Sequence, residues 1–126
     1  MRRKLLTIFM LLFSIATFSQ TFVEKYNKTI SKEDGLITQW KPIDLTVVFN
    51  EDVTGDLVFY YGDGQITRFH QISGVKKSQT VKNEKYQLIQ CIDSENGFKV
   101  GVQYFADDQT LRVVVDKNNY IEFYKN

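Results

Sequence analysis

Residues 56–72, DLVFYYGDGQITRFHQI, decide the fold. Two runs rich in aromatic and β-branched residues flank Gly62-Asp63-Gly64. Alternating runs bounded by Gly and Asp read as strands joined by a tight turn, a β-hairpin. Its register is open to two readings. A two-residue Asp63-Gly64 loop would set Phe59 opposite Arg68 and Leu57 opposite His70, turning both basic side chains toward the apolar face. A three-residue loop from Gly62 to Gly64 would set Phe59 opposite Thr67 and Leu57 opposite Phe69. Arg68 and His70 would then face outward, with His70 opposite Asp56. Burying an unpaired guanidinium costs several kcal/mol. Desolvation therefore favours the outward register over the local turn preference.

The same period-two pattern extends in both directions. Upstream, Ile43 to Phe49 alternates and ends in the turn cluster Asn50 to Gly55. A further strand is expected within Thr21–Ile30 and a short one at Leu36–Trp40, although 22–34 is the one stretch where a short helix could hide. Downstream, a polar loop is expected from Ser73 to Glu84. Strands then follow at Lys85–Asp93, Phe98–Phe105, Thr110–Val115 and Tyr120–Tyr124. Short connections force antiparallel neighbours. The expected fold class is all-β: a single antiparallel meander of about seven or eight strands, closing as a small barrel or folding as a sandwich.

The first residues differ from the rest. Met1-Arg2-Arg3-Lys4 is a basic head, Leu5 to Ala16 is an apolar run, and small residues follow. This is the order of a secretory signal peptide, with cleavage expected after Ser19. The apolar run is about 12 residues, short of the roughly 20 that cross a bilayer. The leader followed by Gln20 resembles those of exported bacterial proteins. The expected organisation is therefore a cleaved signal peptide at 1–19 and one β domain at 20–126, secreted or periplasmic at the bacterial envelope, with no membrane span after processing.

Charge and chemistry narrow the function. The chain has 16 basic and 15 acidic residues; the leader takes Arg2, Arg3 and Lys4, leaving 13 against 15, a formal −2. That is not the basic footprint of a nucleic-acid-binding domain. Cys91 is the only cysteine and His70 the only histidine. No internal disulfide or Cys/His zinc site can form, and no cofactor is expected. Cys91 reads as a buried small hydrophobe in preference to an intermolecular disulfide. Pairing of 65–72 with 85–93 across the 73–84 loop would put His70 opposite about Tyr86 or Gln87 and Cys91 opposite about Ile66 or Thr67. The two would then lie about 13 Å apart at normal strand rise, too far for a dyad. Asn50-x-Asp52-x-Thr54-Gly55-Asp56 matches half of a calcium loop, but Tyr61 stands where the bidentate Glu is needed.

The reading these residues support is an exported, non-catalytic binding or interaction protein, its partner a protein, a glycan or a small apolar ligand. Trp40, Tyr60, Arg68, His70, Lys76 and Lys77 are the candidate binding residues. Aromatics stack on sugars or anchor partners, and charges on the longest loop face solvent. One alternative is a small barrel holding an apolar or amphipathic ligand, similar to lipocalin-like proteins. Gly35 and Trp40 do not have the Gly-x-Trp spacing of that family. A second alternative is a small hydrolase with His70 bound to an acid beside a serine. The barrel alternative implies a cavity and an inward Arg68; the binding module implies a filled core and exposed aromatics.

Overall fold

The computed structural model describes residues 21–50 and 55–125. The expected leader, 1–19, lies outside the described residues, as do Glu51 and Asp52. Ten strands follow in chain order: β1 Phe22–Glu33, β2 Leu36–Ile37, β3 Lys41–Phe49, β4 Leu57–Tyr61 and β5 Ile66–Gln71. They continue with β6 Lys76–Gln79, β7 Lys85–Asp93, β8 Lys99–Phe105, β9 Thr110–Asp116 and β10 Asn119–Tyr124. The stretch 22–34 is therefore strand and turn, not helix.

All pairings are antiparallel and follow chain order, and β10 pairs back onto β1. This closes the meander into an eight-stranded barrel with two extra strands, and excludes the sandwich. Each extra strand prolongs a neighbour. β2 and β3 both pair with β1, separated by Thr38–Trp40. β5 and β6 both pair with β7, separated by Ile72–Val75. The expected polar loop 73–84 thus conceals a strand. Its break is bridged in place: Ile72 N–H donates to Gln90 C=O at 2.9 Å, and the Ser73 hydroxyl accepts from Gln90 N–H at 3.1 Å. A hydroxyl stands in for the missing backbone carbonyl, so the stave continues past the irregularity.

The deciding hairpin takes the three-residue loop. Leu57 pairs with Phe69, Val58 with Arg68 and Phe59 with Thr67. Tyr61 N–H donates to Gln65 C=O at 2.9 Å, and Gly64 has φ +92°. A left-handed glycine after a tight turn is the usual ending of a three-residue hairpin loop. The Asp-Gly rule for two-residue loops applies elsewhere, at Asp34-Gly35. Both residues there have positive φ, 51° and 83°, and Glu33 pairs with Leu36. Arg68 and His70 consequently stand on the outer wall, and a charge is kept out of the bore.

The inner face of the barrel is apolar and tightly filled at mid-height. Leu45, Val47, Phe49, Leu57, Ile89, Cys91, Val102 and Leu111 have no exposed surface, and Phe59 and Phe123 only 1%. The Phe59 ring meets Phe69 edge-on at 5.0 Å between centroids and Phe123 at 5.8 Å. Phe49 stacks on Phe22 at 4.4 Å. Burying each such side chain stabilises the fold by about 1.5–3 kcal/mol. Cys91 is part of this core; burial, with the charge of Asp56 adding, pushes its thiol up to about 12. The pairing of β5 with β7 differs from expectation: His70 lies opposite Ile92 and Gln71 opposite Cys91. His70 and Cys91 are thus close along the sheet, and what separates them is the wall itself. Cys91 points into the bore and His70 is exposed outside.

Candidate functional site

Because successive strands reverse, the loops sort to two ends. One end, the mouth, gathers the facing ends of β3 and β4 at Phe49 and Leu57, the β6–β7 turn at 80–84, the β8–β9 turn at 106–109 and Lys125. The other, the base, gathers the turns at 34–40, 62–65, 94–98 and 117–118. At the mouth a cleft of about 730 Å³ opens over β6, β7 and β8. Lys77, Gln79, Gln87 and Tyr104 line it with Lys85, Tyr86 and Asp107. That volume is in the range of small-ligand sites, which run to about 300–1,000 Å³.

The floor of the mouth is polar. The Tyr104 hydroxyl donates to Glu24 Oε1 at 3.0 Å, and Lys125 forms an ion pair with Glu24 Oε2. The Lys125 ammonium sits 5.8 Å from the centre of the Tyr26 ring. Burial first, and then the nearby Glu24 carboxylate, pushes the Tyr104 phenol up to about 12. Tyr26 lies deeper, where burial raises its phenol further, and its buried hydroxyl has no hydrogen-bond partner among the described residues. A polar layer thus separates the cleft from the packed bore. Tyr104 belongs to both, touching Phe49 at 5.1 Å between ring centroids.

The six residues singled out from sequence do not form one site. Lys77 pairs with Gln87 and lines the cleft. Lys76 pairs with Leu88 and points the other way, to the outer wall. Arg68 and His70 share Asp56: Arg68 Nη1 lies 3.1 Å from Oδ2 and His70 Nδ1 2.8 Å from Oδ1. The Asp56 side chain is only 9% exposed, against 51% for His70, so the acid is a buried anchor for two surface bases. Tyr60 is half-buried on the same outer wall, paired with Thr46 and Ile66. Trp40 is 52% exposed and meets Tyr124 edge-on at 4.7 Å. Among the described residues no serine hydroxyl is hydrogen-bonded to His70, although the acid half of the hydrolase arrangement is in place.

Sequence reasoning missed a second outer-wall cluster. Arg112 pairs with Glu122 across the β9–β10 hairpin and forms an ion pair with it. Its guanidinium lies 5.0 Å from the Tyr120 ring centre and 5.7 Å from that of Phe105. The Tyr124 hydroxyl also donates to Glu122. The hairpin count would have found this pair, but for the register shift between Asn119 and Tyr120. Sequence reasoning also missed Gln87 and Tyr104 as site residues: alternation puts them on the faces of Ile89 and Val102, and the pairing of β6 and β8 with β7 brings them beside Lys77.

No family model matches the chain, and no curated protein or solved structure matches it.

Proposed function

We propose that this protein is a non-catalytic binding protein that acts outside the cytoplasm and recognises its partner at the mouth of the barrel. The observation that carries the reading is the 730 Å³ cleft over β6–β8, lined by Lys77, Gln79, Gln87 and Tyr104. A few convergent polar groups over a rigid scaffold are what a recognition site requires. The reading draws further support from the contrast between wall and bore. Lys25, Lys28, Asp44, Arg68 and His70 stand on the outer wall and the apolar residues point inward, the reverse of a lipid-facing barrel. Its export rests on the leader-like residues 1–19.

An apolar ligand inside the bore has less support. Arg68 faces outward, and Phe59, Phe69 and Phe123 fill the bore. The test is native mass spectrometry of the protein isolated from its own source, beside a Lys77→Glu/Lys85→Glu variant. The expected result is added mass on the wild type that is lost on denaturation and absent from the variant. Equal added mass on both, or none on either, contradicts recognition at the mouth.

A further inference from the structure

A closed barrel has no free strand edge, but among the described residues β6 is paired on one side only. Among the strands β6 contacts only β7, while the stave it prolongs, β5, is covered on its other side by β4. β4 starts at Leu57, opposite Phe69. Past that point the stave runs on through β6 with no described strand beside it.

Which backbone groups face the gap follows from alternation. In an antiparallel ladder, alternate residues turn both N–H and C=O to the same neighbour. On β7 the even-numbered positions face β5 and β6: Gln90 C=O accepts from Ile72, and Ser94 N–H donates to Arg68 C=O. Across the turn, Thr80 N–H donates to Glu84 C=O at 2.9 Å. With Lys76 opposite Leu88 and Ser78 opposite Tyr86, these two residues are the ones bonded to β7. Lys77 and Gln79 therefore present their N–H and C=O groups to the gap, and no described strand pairs with them there. Their side chains line the cleft beside it.

We infer that β6 is a strand-addition site, and that its partner is an extended acidic peptide segment of another protein. This rests on recognition at the mouth and names its partner class. Strand addition draws affinity from backbone pairing and selectivity from the alternate side chains. From Val75 to Lys82 the chain carries Lys76, Lys77 and Lys82 and no acidic residue. Edge lysines oppose self-pairing, because a second copy of β6 would set lysine near lysine. An acidic strand meets the same charges favourably. Its inward side chains would lie beside Lys77 and Gln79 on the side away from β7, while the others would lie outside beside Lys76.

The test is residue-resolved amide exchange on the protein with the synthetic peptide EVETEVE, a lysine counterpart KVKTKVK, and no peptide. The expected result is slowed exchange at Lys77 and Gln79 with the acidic peptide only, and no change at Lys76 and Ser78. Lys77→Glu should weaken binding about tenfold, the scale of a reversed cross-strand charge pair with its neighbours. Gln79→Pro removes an N–H that faces the gap, not one bonded to β7, so it should abolish binding while leaving the spectrum of the bore unchanged. Four outcomes overturn the proposal: protected Lys77 and Gln79 amides in the free protein, equal response to the lysine peptide, concentration-dependent protection without peptide, or no response to either. If the natural ligand still sits in the cleft in any of these cases, recognition at the mouth survives and only the strand-addition partner is lost.

Discussion

The bore and the mouth of this barrel are made from the same staves and follow opposite rules. In the bore, Phe59, Phe69 and Phe123 interlock and the residues around them have almost no exposed surface. At the mouth, the inward positions of the same strands hold Lys77, Gln79, Gln87 and Tyr104 around an open cleft. The changeover takes one or two strand positions: Ile89 is fully buried and Gln87, the next inward residue on β7, lines the cleft. The bore therefore supplies stability, and the mouth is free to carry polar chemistry that a packed core would reject.

The largest effect expected from this contrast concerns Cys91. Its thiol is fully buried and pushed up to about 12, so it should react only through unfolding. Alkylation should be slowed about 10³-fold or more relative to the unfolded chain, following the usual stability of a small domain. Rapid labelling of the folded protein by a thiol reagent, followed by mass, would break the claim of a filled bore.

Phe59→Ala should cost about 3–5 kcal/mol in denaturant unfolding, because the cavity would lie among rings that cannot close over it. By contrast, Lys77→Ala at the mouth should stay within about 0.5 kcal/mol, as exposed substitutions do. Similar costs at the two sites would erase the distinction between the regions. Gly64→Ala should fall between them, at about 1–2 kcal/mol, because its φ of +92° is left-handed. An unchanged midpoint there would show that Gly64 is not held in the left-handed region.

That hairpin also shows how far the sequence was legible. Alternation identified nearly every strand, and short connections set antiparallel neighbours. Two-residue and three-residue loops could not be separated from Gly62-Asp63-Gly64 alone; the cost of burying Arg68 separated them. β6 was hidden because Lys76-Lys77-Ser78-Gln79 has no apolar face, and only its pairing with β7 makes it a strand. The candidate site was harder still. Lys77 was found as a loop charge, while Gln87 and Tyr104 acquire their role from β6 and β8 pairing with β7, and the β6 pairing was hidden with β6 itself.

The smallest effect lies at the base. Backbone and side-chain hydrogen bonds from Asn118 and Asn119 hold the Asp116 carboxyl below its ordinary range. A depressed folded-state value means stability present above the unfolded value and lost as pH falls through the folded one. Asp116 should thus titrate below the ordinary value of an aspartate when followed by NMR, and Asn119→Ala should move it upward. A titration within the ordinary carboxylate range would show that this turn is not held as described.

The central claim is a packed barrel with an open strand edge along β6, and amide exchange of the unliganded protein tests it most directly. The account predicts slow exchange at the ladder amides of β7, β8 and β9. It also predicts alternation along β6, with Lys76 and Ser78 protected by their bonds to β7 while Lys77 and Gln79 exchange freely. Uniform protection from Lys76 to Gln79 would contradict the open edge, and uniform exchange there would contradict β6 as a strand.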